Sequence, residues 1–136
     1  MPNFEVIYRK NVYKVEASPT PFTFSLDTFK NSPFFDRRFG IITAWNPDNR
    51  TLSSTENEER NLKLYSDLYS YETLKAVGCY QKHCESGYLV FDISLDQLIV
   101  LGQKYNQFAV FFSDGKYLKY VRCEDAEEVV GIKRAD

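Results

Sequence analysis

Two helix-start signals, Ser53-x-x-Glu56 and Ser94-x-x-Gln97, divide this chain and constrain what it can fold into. In a capping box the serine oxygen accepts from the backbone three residues on, and the Glu or Gln reaches back. The run before the first box, Phe39-Gly40-Ile41-Ile42-Thr43-Ala44-Trp45, is apolar enough for a central strand covered on both faces. It ends in Asn46-Pro47-Asp48-Asn49, which is turn chemistry. Thr55-x-x-Glu58 overlaps the first box. The helix that follows carries Leu62, Tyr65, Leu68 and Tyr69 at three- and four-residue spacing, the expected buried face, and should stop near Tyr71.

Between the two helices, residues 74–80 and 88–93 read as strands of a hairpin with a long polar loop over residues 81–87. The second helix directs Leu95, Leu98, Ile99 and Tyr105 inward. Residues 108–112 and 117–122 form a further hairpin around Ser113-Asp114-Gly115-Lys116, and the acidic tail is expected to be peripheral, with a short helix around residues 125–130. Upstream, residues 4–15 read as a strand bent near Lys10-Asn11, residues 22–26 as a second short strand, and residues 27–38 as a helical turn plus loop. From Phe39 the order is strand, helix, strand, strand, helix, strand. It predicts an α+β fold, a ferredoxin-like βαββαβ core with an extra N-terminal hairpin or strand and a C-terminal strand, in one domain over residues 1–136.

That topology brings sequence-distant polar groups to one edge. Trp45 and Asn46 leave the first strand there, Asn57 and Asn61 open the first helix, Glu85 sits in the hairpin loop, and Gln107 starts the next strand. Asn57 and Asn61 are one turn apart and share a face. Amides and a carboxylate around an indole suit a polar ligand, with Trp45 as a stacking wall. The same groups equally suit a polar tie that satisfies loop backbone. The ligand-binding set is therefore Trp45, Asn46, Asn57, Asn61, Glu85 and Gln107.

Catalytic chemistry is sparse. Phosphate-binding glycine loops and serine nucleophile elbows are missing from the sequence. The one histidine, His83, shares an extended-chain face with Glu85, which makes Glu85 the candidate general base or nucleophile of a small enzyme acting on a nucleotide-like or other polar metabolite. Cys79, His83, Cys84 and Cys123 fit no standard zinc spacing, so no metal and no cofactor are expected, and the cysteines are expected to be reduced. The odd cysteine count and the lack of a continuous apolar N-terminal stretch point to the cytoplasm, and no apolar run is long enough for a membrane span. A net charge of −2 disfavours nucleic acid, although Tyr88, Phe111, Tyr117 and Tyr120 would supply stacking rings on an open sheet face. The leading expectation is a non-catalytic binding module for a polar small molecule or a protein partner, of undetermined oligomeric state.

Tyr8-x-x-x-x-Tyr13, Thr43-Ala44-Trp45-Asn46-Pro47, Glu56-Asn57 with Asn61 and Leu64, Glu85-x-x-x-Leu89-Val90 and Gln107-x-Ala109 follow one another along the chain. Together they resemble the domain-of-unknown-function 3293 family of small bacterial and phage-type proteins, over roughly residues 4–112. The Thr-Ala-Trp-Asn-Pro segment is the most specific part. Family members usually carry Glu-Pro-Ser where this chain has Glu85-Ser86-Gly87. The resemblance implies no established activity; it implies that Trp45, Asn46, Asn57, Glu85 and Gln107 act together.

Overall fold

A computed structural model describes residues 8, 10–16, 21–25 and 37–133. Its strands are β1 (Val12–Val15), β2 (Phe22–Phe24), β3 (Phe39–Ile42), β4 (Thr73–Tyr80), β5 (His83–Phe91), β6 (Ala109–Ser113), β7 (Tyr117–Arg122) and β8 (Glu128–Lys133), with helices α1 (Ser54–Asp67) and α2 (Leu95–Lys104). All strands join one antiparallel sheet in the order β2-β1-β4-β5-β3-β6-β7-β8, curled into a half-barrel. This corrects the ferredoxin-like expectation. The strands read as additions pair along their length with the sheet, β1 on β4 and β7 on β6, and β8 continues it where a tail helix was expected.

The reason lies in burial. A four-stranded ferredoxin-like sheet covers one face with helices and leaves the other open. Here one face carries α1 and α2 over Ile42, Leu64, Val90, Leu98, Val110 and Phe112. The opposite face is also a core, built from Tyr13, Phe24, Phe39, Phe111, Leu118 and Tyr120. Burying that second apolar face favours extending and curling the sheet. The rings proposed for base stacking are thereby divided: Phe111 and Tyr120 are buried inside the curl, whereas Tyr88 lies on the helix side against Tyr65.

The first capping box forms as read. Ser53 Oγ accepts from Glu56 N at 3.2 Å, and Glu56 Oε1 accepts from Ser53 N at 3.4 Å. The buried face of α1 differs from the expected one. Asn57, Asn61, Leu64 and Leu68 point inward, while Leu62, Tyr65 and Tyr69 are exposed at 65%, 53% and 88%. Two asparagines complete the inward stripe because the loop before the helix needs their amides, so a stripe drawn through apolar residues alone selects the wrong face.

The expected seven-residue loop between β4 and β5 is a two-residue turn, Gln81-Lys82, because Tyr80 already pairs with His83. Glu85 is therefore a strand residue. The tight hairpin also sets Cys79 directly opposite Cys84, with Cα atoms 4.1 Å apart and the sulfurs bonded; only Cys123 among the three cysteines is free, and it is buried. The expectation of three reduced thiols is thus overturned, and the cysteine count lends no support to a reducing compartment. Among the described residues no helix is long and apolar enough to cross a membrane. The readings for residues 4–7, 26 and 27–36 lie outside the described residues.

Candidate functional site

Where β3 ends, the chain turns sharply. Asn46 takes φ 49° and ψ 67°, and Asp48 takes φ 54°. Asparagine and aspartate tolerate this left-handed region better than other residues with a Cβ. The turn leaves backbone groups without sheet partners, and buried backbone groups need them. Helix α1 supplies them. Asn61 Oδ1 accepts from Ala44 N at 2.9 Å, and Asn57 Oδ1 accepts from Asn46 N at 2.8 Å. Asn61 Nδ2 donates to Ser86 O at 2.9 Å, which ties the helix to β5. Arg60 Nε donates to Ala44 O at 2.7 Å and Arg60 Nη2 to Tyr105 O at 2.5 Å. From the other side Gln107 Nε2 donates to Trp45 O at 3.2 Å and to Tyr105 O at 3.1 Å.

Asn57 and Asn61 are 1% and 7% exposed, and their amides serve this knot. Arg60 belongs to it too, although sequence reasoning passed over it. The signal was present: Asn57, Arg60 and Asn61 form a polar stripe at three- and four-residue spacing.

On the sheet face opposite the helices, the curl encloses a cavity of about 330 Å³ that opens near the knot. Asn46, Glu85 and Gln107 line it, together with His83, Tyr8 and Tyr13. Trp45, Asn57 and Asn61 are not among the lining residues, so three of the six predicted ligand groups reach the cavity and Trp45 is no stacking wall there. Aromatic walls come instead from Tyr8, Tyr13, Tyr80, Phe108, Phe111 and Tyr120. Tyr8 stacks on Tyr120 with ring centroids 4.1 Å apart. A glycine makes room: Gly78 pairs across the sheet with both Tyr13 and Glu85, and a Cβ there would lie 2.8 Å from the Tyr13 ring.

Glu85 sits at the rim with its side chain 29% exposed. One oxygen, Oε2, lies 2.8 Å from His83 Nε2 and accepts from Asn46 Nδ2 at 3.4 Å. Deeper in, Tyr120 donates to the Tyr13 hydroxyl at 2.6 Å, and Asn11 Nδ2 donates to Tyr120 at 3.2 Å. Burial, above all, holds the Tyr8, Tyr13 and Tyr120 hydroxyls protonated far above the ordinary tyrosine range. The negative charge of Glu85 pushes Tyr8 and Tyr13 the same way, so its field extends into the cavity. The cysteines and histidine read as conceivable zinc ligands do not converge: Cys79 and Cys84 are bonded to each other and Cys123 is buried by the second helix, against Gly102.

A family model described as protein of unknown function, DUF3293, matches residues 42–110, about half of the chain. The chain belongs to the DUF3293 family. The DUF3293 match spans the whole knot and the polar rim, from Asn46 through Glu85 to Gln107, while Tyr8, Tyr13 and Tyr120 fall outside it. No curated protein and no solved structure matches the chain.

Proposed function

We propose that this DUF3293 protein is a non-catalytic binding domain that takes a polar small molecule into the mouth of its half-barrel. The observation that carries the reading is the cavity of about 330 Å³, aromatic on its walls and rimmed by Asn46, Glu85 and Gln107. Its size lies at the lower end of ordinary ligand pockets, and a mostly apolar lining with a few convergent polar groups is their usual character. Asn57, Asn61 and Arg60 then act as the scaffold that orients Asn46 and Gln107. A thermal-shift and amide-shift screen against nucleotides, sugars, amino acids and amines tests this, with Ala109→Leu narrowing the cavity. Ligands should raise the melting temperature of the wild type by mass action and lose that effect in the variant. Ligands that stabilise both proteins equally, or shift only amides remote from Gly78, Gly87 and Ala109, would rule the cavity out.

One contact favours a second reading, a small enzyme acting on a nucleotide-like or other polar metabolite with Glu85 as base or nucleophile. His83 Nε2 lies 2.8 Å from Glu85 Oε2, a carboxylate oriented by a second titratable group. Turnover of any panel substrate, abolished alike in Glu85→Gln and His83→Ala, would establish it over simple binding.

A further inference from the structure

The polar groups at the cavity are unequal in what they have left to offer. Asn46 uses both ends of its amide: Oδ1 accepts from Leu52 N at 3.0 Å and from Asn57 Nδ2 at 2.8 Å, while Nδ2 donates to Glu85. Thr43 is similarly occupied, its hydroxyl donating to Ser86 O at 2.6 Å and accepting from Trp45 N at 3.0 Å. Gln107 directs its N–H groups away, to the Trp45 and Tyr105 carbonyls, which leaves its Oε1 as an acceptor. In Glu85 both contacts fall on Oε2, and Oε1 has no hydrogen bond among the described residues. The open capacity at the rim is therefore acceptor capacity, from one amide oxygen and one carboxylate oxygen. Among the described lining residues no Lys or Arg neutralises that carboxylate. Below it Tyr8, Tyr13 and Tyr120 line the cavity as an aromatic wall, with Tyr8 stacked on Tyr120.

We propose that the ligand presents a protonated nitrogen to Glu85 Oε1, so that the pocket selects small organic cations: primary amines, amidines or guanidines carried on a compact apolar body. This rests on the cavity being a ligand site. The charge meets the carboxylate at the rim, further N–H groups reach Gln107 Oε1, and the apolar body lies against the aromatic walls. Neutral polar molecules would fill the same volume and hydrogen-bond to the carboxylate without the added charge–charge attraction, and anions would be repelled.

The test is a fragment set built as isosteric triplets, each scaffold carrying an ammonium, a hydroxyl or a carboxylate. Binding is read from amide shifts at Gly78, Gly87 and Ala109 in the full chain. The ammonium member should bind at least about tenfold tighter than its alcohol, because only the ammonium adds a charge–charge attraction to the hydrogen bond on the carboxylate. The preference should weaken with added salt and vanish in Glu85→Gln. Salt dependence of the wild type carries the conclusion should that variant fold poorly. Alcohols or carboxylates binding tighter than amines at the same amides would overturn the cation proposal and leave the pocket standing. An undiminished amine preference in well-folded Glu85→Gln would also overturn it. Triplets that shift none of these amides would overturn the pocket and the cation proposal together.

Discussion

Replacing Asn57 by alanine separates a structural role from a ligand-binding one, because the local bonds allow the cost to be worked out. The side chain is 1% exposed. It accepts from Asn46 N at 2.8 Å, donates to Asn46 Oδ1 at 2.8 Å, and donates to Leu52 O at 3.4 Å. Alanine leaves the Asn46 N–H without its partner in a part-buried turn, at about 1–3 kcal/mol. Asn46 Oδ1 keeps the Leu52 N–H, so its loss is the ordinary net value of about 1 kcal/mol. The better helix propensity of alanine returns roughly 0.5 kcal/mol. The expected destabilisation is about 1.5–3.5 kcal/mol, a fall in melting temperature of roughly 5–12 °C for a chain of this size. Urea titration followed by circular dichroism measures it, with an unchanged slope showing that the native fold persists. In a double-mutant cycle with Asn46→Ala, the two costs should be coupled by about 1 kcal/mol because Asn57 Nδ2 donates to Asn46 Oδ1; the bond from the Asn46 backbone N–H survives that substitution. A loss below about 0.5 kcal/mol, or additivity within that margin, would refute the knot as a stabilising device and return Asn57 to the list of ligand groups.

Ser53→Ala removes the α1 cap and should cost about 1 kcal/mol in the same titration, without changing ligand response at the cavity. Reducing Cys79–Cys84, which closes a loop of sequence separation 5, should lower stability by about 2 kcal/mol from chain entropy; the double alanine variant should be insensitive to reductant. Alkaline pH provides a further check. Tyr13 and Tyr120 have folded pKa values raised by burial above the ordinary 10.0, so their contribution is full below about pH 10 and is lost as pH rises, because the unfolded chain ionises first. Tyr13→Phe should therefore flatten the fall in stability above about pH 10, and a profile identical to wild type would show that this hydroxyl does not drive it.

How much of this was legible depended on how local each signal is. Capping at Ser53 and Ser94 is written within four residues, and both helices start where those boxes put them. Strand β7 was read with its observed ends for the same reason, an apolar run closed by a Ser-Asp-Gly-Lys turn. The curl was not legible, because it needs β1 to pair with β4, far away in sequence, which leaves no periodic trace, and because β8, the sequence neighbour of β7, was read as a tail helix. The Glu85 register was lost by reading polarity as loop. Residues 81–87 are polar because β5 emerges at an exposed hairpin tip, not because the chain leaves the sheet. Asn57 bonds Asn46 and Gln107 reaches the Trp45 carbonyl, but the sheet divides that edge into a knot on the helix side and a cavity inside the curl, a division that the expected topology did not contain.

Asn46 connects those two sides, and this decides how the knot and the pocket relate. Its backbone needs the left-handed turn, at φ 49°, to leave β3. Its Oδ1 gathers Leu52 N and Asn57 Nδ2 on the helix side, and its Nδ2 reaches Glu85 at the cavity rim. Since one amide cannot rotate without losing both sets of bonds, the scaffold orients the Glu85 carboxylate, with Asn46 and His83 on Oε2 and no hydrogen bond to Oε1 among the described residues. The structural knot and the rim of the cavity are therefore consecutive layers of one network. Asn57 and Asn61 hold Asn46 and the β3 exit, Asn46 holds Glu85, and Glu85 faces the open cavity. On the proposed binding reading, a rim ordered in this way is preorganised by groups that never touch the ligand, which would lower the entropy lost when a small molecule binds.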